Sequence, residues 1–238
     1  MGKYIERELV YIERNPYIYR VTHRIMEGDC QTEHGPILVE VGGFYADKYP
    51  VTNKMFYDFI KESGYKPADS SGFLRHFENG IFKEEEANLP VVNVSQEDAK
   101  AYAAYYSMRL PTDQEWQYMA AGPYNLKYPW GNLPDYKRCN AYGEGLTPVD
   151  AYPQGASPFG LVDMCGNAWE MTDDLIDDGR HRFILLRGGC YYRGNNYWHA
   201  EGGPLPNWAH LKMHLMGGAM DRNGTVGFRC VKDCAGEG

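Results

Sequence analysis

The sequence has no run of about eighteen apolar residues, so no segment is read as crossing a membrane. Its first fifteen residues, "MGKYIERELVYIERN", contain no apolar stretch of signal-peptide length, and the expected compartment is the cytoplasm. Basic residues are few: 24 Lys and Arg stand against 32 Asp and Glu, a net charge of −8, which argues against a nucleic-acid partner. Cysteine is scarce and scattered. Cys30, Cys139, Cys165, Cys190, Cys230 and Cys234 never take the spacing of a zinc knuckle, and in a reducing compartment they read as free, buried thiols. There is no internal repeat and no interdomain linker. What the chain has in plenty is 20 Tyr, 27 Gly and 14 Pro, a composition that suits short strands in a loop-rich fold.

Residues 4–26 alternate polar and apolar around Asn15-Pro16, as two half-exposed strands joined by a turn would. "GPILVEVGGFYADKYPVT" continues as strand. The period then lengthens. Asn53 can cap a helix over 53–63 with Met55, Phe56, Phe59 and Ile60 on one face and Gly64 at its end. Ser95 can cap a second helix over 95–107 with the stripe Ala99, Tyr102, Ala103 and Tyr106, and Thr112 with Glu115 forms a capping box for a third over 112–121. Residues 66–90 have no period and are expected as a surface loop. Beyond Gly122 glycine, proline and asparagine punctuate short apolar segments, and 208–216 is the only further stretch that could be helical. Strands, then helices, then irregular chain predict an α+β domain.

Six phrases point further: "YPVTNKMFYDFI", "LPVVNVSQEDAKAYAAYYSMRLPTDQEWQYMAAG", "YPWGN", "PFGLVDMCGNAWEMTDD", "LRGGCY" and "VGFRCV". In order and spacing they resemble the formylglycine-generating-enzyme superfamily, which also holds sulfoxide synthases of ergothioneine biosynthesis and retroelement-diversified binding proteins. The resemblance spans residues 36–233 and implies an irregular C-type-lectin-like fold over 36–238, with 1–35 as an added N-terminal hairpin. It makes Arg109, Trp116, Trp130, Trp169 and Arg187 packing and cross-linking residues.

The same resemblance implies a calcium site in "DMCGNAWE": the side chain of Asp163, the carbonyls of Gly166 and Ala168, and the carboxylate of Glu170. Calcium is a hard cation that takes such oxygens. A second family site would start from Asn140 and the carbonyl of Ala141. The oxidising members carry two cysteines, five residues apart, after "RGGS"; they bind copper(I) and oxidise a substrate cysteine. Counted from Arg187, Cys190 replaces the serine and the thiol positions hold Arg193 and Trp198. Neither side chain can supply a thiolate to copper(I).

Three readings of the segment after Cys190 are open. Tyr191, Tyr192, Arg193, Asn195, Asn196, Tyr197, Trp198, His199 and Trp208 have the rigid rings and adaptable amides of a recognition surface, for a small molecule, sugar or peptide. Alternatively, a helix over 208–216 would put His210 and His214 on one face at i, i+4, and with His199, Glu201 or Asp221 they could hold iron for an altered oxidase. A third reading is a non-catalytic subunit acting through its N-terminal hairpin. The first is the principal expectation: 191–199 and 208–214 line one concave surface.

Overall fold

The computed structural model describes residues 3–23, 33–177, 179–192 and 204–234. Four strands open the chain: β1 (Leu9–Ile12), β2 (Asn15–His23), β3 (Glu33–Val41) and β4 (Phe44–Asp47). The alternation around Asn15-Pro16 does give two strands, but they do not pair with each other. β1 runs antiparallel to β4, with Tyr11 opposite Tyr45, and β2 runs antiparallel to β3, with Tyr17 opposite Val39. The hairpin is therefore a ribbon of residues 9–23 against 33–47, bent where both strands turn. Gly42 permits the bend. It sits at φ +115°, and a Cβ there would fall 2.1 Å from the Glu13 carbonyl oxygen, so only glycine lets the two turns touch.

The helices follow their caps. In α1 (Asn53–Ser63) the cap is Thr52, whose hydroxyl accepts from the Met55 amide at 3.3 Å, and Gly64 closes the helix in the left-handed region at φ +68°. Asn53, expected as the cap, is instead the first helical residue. Its buried amide donates to the Glu86 carbonyl and its oxygen lies 3.0 Å from His76 Nε2. Burial, with Arg75 beside it, pushes His76 down to about 4. α2 (Gln96–Tyr105) and α3 (Asp113–Ala121) start on the expected capping residues, and both form reciprocal boxes, Ser95 with Asp98 and Thr112 with Glu115. The first and third helices keep their expected ends, and the second stops at Tyr105, two residues short of the expected 107.

The second half carries β5 (Trp169–Asp177), β6 (Arg182–Arg187), β7 (Ala209–His214), β8 (Val226–Gly227) and β9 (Val231–Asp233). One sheet has the order β1-β4-β9 and the other β3-β2-β7-β6-β5-β8. β7 corrects the sequence reading: 209–214 is a strand, antiparallel to β6 and touching β2 in parallel. Its helix-like histidine spacing lost to its pairing partners, because Leu211 and Met213 on one face pack into the core as strand residues do.

Two apolar clusters hold these parts together. One joins α1, α2, β5 and β6 through Phe56, Phe59, Tyr102, Trp169 and Phe228, with Phe56 stacked on Tyr102 at 5.5 Å. The other packs the bent ribbon on α3 through Ile12, Tyr17, Phe44, Trp116 and Met119. Full burial of each such side chain contributes roughly 1.5–3 kcal/mol. No helix among the described residues is long and apolar enough to cross a membrane.

Candidate ligand cleft and calcium loop

β6 ends on Arg187, which is wholly buried and could not stay so uncompensated. Its guanidinium holds the Asp113 carboxylate at the start of α3, and its third nitrogen donates to the Asn207 and Ala209 carbonyls at 3.0 and 3.2 Å. Tyr19 from β2 donates to the same carboxylate. Burial alone would raise Asp113, but Arg187 beside it holds the carboxyl well below the usual range. This hub ties β2, α3, β6 and β7 together. His210 belongs to it. The ring is buried with Nδ1 3.7 Å from Asp113, and burial, with Arg187 nearby, lowers its pKa against the opposing pull of Asp113.

His214 sits elsewhere, its ring stacked on Phe183 at 4.8 Å and edge-on to His181. Four residues along a strand separate it from His210 by about 13 Å. The histidine pair expected on a helical face is therefore not brought together. Among the described residues, no group of three or more His, Cys, Asp or Glu is placed to hold a metal ion. Arg193, Asn195, Asn196, Tyr197, Trp198, His199 and Glu201 lie outside the described residues. Of their neighbours, Tyr191 is half-buried with its amide donating to Asn167, and Tyr192 is exposed.

Trp208 lines a hollow of about 200 Å³ with Tyr17, Ile18, Arg20 and Asn125. The Arg20 guanidinium lies 3.7 Å over the indole ring. β2 and β7 meet here, since the Thr22 amide donates to the Trp208 carbonyl at 3.0 Å. The β2 and Asn125 walls were not legible in the sequence. Alternation puts Ile18 and Arg20 on the outer side of a strand, but nothing in a linear reading brings that side to residue 208.

The "DMCGNAWE" loop turns on three left-handed residues, Asp163, Gly166 and Asn167. Gly166 has to be glycine, as a Cβ would meet the Asn140 carbonyl at 2.5 Å. Asn167 is the loop's clamp, donating to Asp163 and Thr147 and accepting from Asn140. Asp163 is buried and has no ion-pair partner among the described residues. Desolvation pushes its carboxyl up to about 8. Such a group suits a cation. Glu170 is different: it accepts from Arg229 Nε and Nη2 at 2.7 and 2.6 Å and from Trp116 Nε1 at 2.7 Å. The expected neutralising charge at Glu170 is thus an arginine within the chain, and sequence reasoning missed it. A charged residue in each of "AWEM" and "GFRCV", both otherwise apolar, was the available signal.

The remaining packing residues fall as expected, with two differences of detail. Arg109 is a bridge at the surface rather than core, gripping Glu115 and Asp233, and Trp169 is fully buried with its N–H facing no acceptor among the described residues. Trp130 stacks on Tyr128 and donates to the Leu133 carbonyl. Cys190 is buried in the larger apolar cluster.

This combination of bent ribbon, capped helices and arginine-tied loops is an α+β fold of C-type-lectin-like, formylglycine-generating-enzyme-like type. PvdO from Pseudomonas aeruginosa superimposes with a TM-score of 0.67 over 96% of this chain and 94% of its own, at 20% identity. The chain belongs to the sulfatase-modifying factor enzyme 1-like domain family, whose model matches residues 8–234. That match includes β1 and β2. The mouse protein named inactive C-alpha-formylglycine-generating enzyme 2 is 29% identical over 243 residues, covering 81% of this chain and 76% of the mouse protein. Hercynine oxygenase of Mycobacterium tuberculosis is 33% identical over 163 residues, covering 57% of this chain and 38% of the oxygenase.

Proposed function

We propose that this chain is a ligand-binding member of the family, in which the cysteine-oxidising site has given way to a recognition surface. The observation that carries it is chemical. The two thiol positions hold Arg193 and Trp198, and the nearby Cys190 is 1% exposed within the core. Copper(I) needs soft ligands, and a thiol enclosed by apolar side chains meets no substrate. The name of the mouse relative, which calls it inactive, is in keeping with loss of the activity on this scaffold. The ligand site is the hollow at Trp208, lined by Tyr17, Ile18, Arg20 and Asn125. An aromatic floor with few polar groups is the usual build of a small-molecule site.

Calcium is part of the same proposal as a structural ion at the Asp163 loop, with the carbonyls of Gly166 and Ala168 and an outer contact from Glu170. The buried, unpaired Asp163 carboxyl supports it. Asp163 would hold the ion and Asn167 would orient that carboxylate.

The test is a fragment and metabolite screen by ligand-observed NMR on the purified chain, repeated with Trp208→Ala. Hits that vanish in a variant melting within a few degrees of the parent support the reading. A chain that binds nothing in the screen, or hits indifferent to Trp208, would sink it.

A further inference from the structure

We infer that the hollow at Trp208 takes a small apolar α-amino or α-hydroxy acid, its carboxylate on Arg20 and its N–H or O–H on Asn125. This inference rests on the binding-module reading and names the ligand class for that site.

Arg20 is the first element. Its guanidinium is stacked on the Trp208 ring at 3.7 Å, and no carboxylate pairs with it among the described residues, although acidic side chains outnumber basic ones in this chain, 32 to 24. Stacking engages the face of a guanidinium and leaves the N–H groups at its edge free. Held flat, that edge matches the two oxygens of a carboxylate.

Asn125 is the second. Its side-chain oxygen is buried and accepts from no donor among the described residues, at a residue pinned in the left-handed region at φ +52°. A buried acceptor without a donor costs about 1–3 kcal/mol, a penalty that a ligand N–H or O–H would relieve. Because this oxygen only accepts, it repels a carboxylate and selects a donor beside it. Tyr17 adds no polar handle, since its hydroxyl already donates to Gln117 at 2.9 Å; it contributes its ring.

The third element is apolar. Ile18 lines the hollow and is 49% exposed, and its cross-strand partner Leu38 is 74% exposed, so an aliphatic or aromatic side chain would find apolar surface to cover. A volume near 200 Å³ lies below the range of drug-sized sites and suits a single residue-sized molecule. A neutral ligand would leave Arg20 unpaired, and a simple fatty acid would leave Asn125 unpaired.

The experiment is calorimetric titration of the full chain with L-leucine and 2-hydroxy-4-methylpentanoate. Leucinamide, which lacks the carboxylate, and 4-methylpentanoate, which lacks the donor, are the controls. Both test acids should bind, each control should bind at least about tenfold more weakly, and Arg20→Gln should lose at least about tenfold for the acids while melting near the parent. Equal binding of leucinamide, no effect of Arg20→Gln, or no binding of either acid at millimolar concentration would overturn the inference. Should neutral fragments still bind at Trp208 in that last case, the ligand class falls and the binding-module reading stands. Oxidation of a cysteine peptide by this chain would remove the module reading itself.

Discussion

Replacing Glu170 with alanine should be among the most destabilising single changes in this protein. The side chain is 1% exposed and its carboxylate is the only anionic partner of Arg229, itself fully buried, among the described ion pairs. Removing one member of such a pair leaves an uncompensated charge, at a cost of about 3–5 kcal/mol. Trp116 Nε1, also buried, loses its acceptor in the same step. That adds about 1 kcal/mol or more, shared with the first loss because the partners are common. In a domain of this size 1 kcal/mol moves the melting temperature by roughly 2–4 °C, so the drop should be about 10 °C or greater. Calorimetry in calcium and in chelator would read it. Because the loss arises from Arg229, it should appear in both conditions. A double variant, Glu170→Leu with Arg229→Met, should recover part of the stability by removing the uncompensated charge, while Trp116 Nε1 stays without its acceptor and the Asp47, Lys48 and Val162 carbonyls lose the bonds that Arg229 donates. A single variant that melts within 2–3 °C of the parent would refute the reasoning, because the carboxylate would then not be what compensates Arg229.

Calcium at saturation, about 100 times its dissociation constant, should add roughly 2.7 kcal/mol to stability, and Asp163→Asn should abolish that increment while leaving the Glu170–Arg229 pair in place; equal melting with and without chelator would remove the ion from the account. His76, lowered to about 4 by burial and by Arg75, is neutral in the folded chain and gains a proton more readily once unfolded. Its contribution is present above pH 6.5 and is lost as pH falls from there toward 4, so the parent should lose more stability across that window than His76→Gln. A parallel decline in chemical denaturation of both proteins would contradict it. Asp113→Ala, which strands Arg187 inside the hub, should cost about 3–5 kcal/mol, and Asp113→Asn should cost less; equal urea midpoints for parent and Asp113→Ala would show that Arg187 is compensated otherwise.

Elements that depend on local signals were legible in the sequence. Ser95 and Thr112 cap α2 and α3 as expected, and Thr112 forms the expected box with Glu115, because a capping box closes within four residues. The failures are long-range. The alternation of residues 9–23 fixed strand but not partner, and the partner came from 33–47 through a bend that only Gly42 allows. At 209–214 an i, i+4 histidine pair looked helical. The extended alternative won through Leu211 and Met213, whose burial depends on β6 lying alongside. The site divided in the same way. The loop around Gly166 was readable as a motif, whereas the link from Glu170 to Arg229 crosses 59 residues and Arg20 reaches Trp208 only through tertiary pairing.

The central claim is that a formylglycine-generating scaffold persists here without its cysteine chemistry. The most direct measurement incubates the purified chain with a Cys-x-Pro-x-Arg peptide, oxygen and a reductant, with and without copper, and follows the peptide by mass spectrometry. The account predicts intact cysteine under every condition, because Arg193 and Trp198 stand at the thiol positions and Cys190 is enclosed. Copper-dependent appearance of the aldehyde product, retained in Cys190→Ser or lost with it, would contradict it.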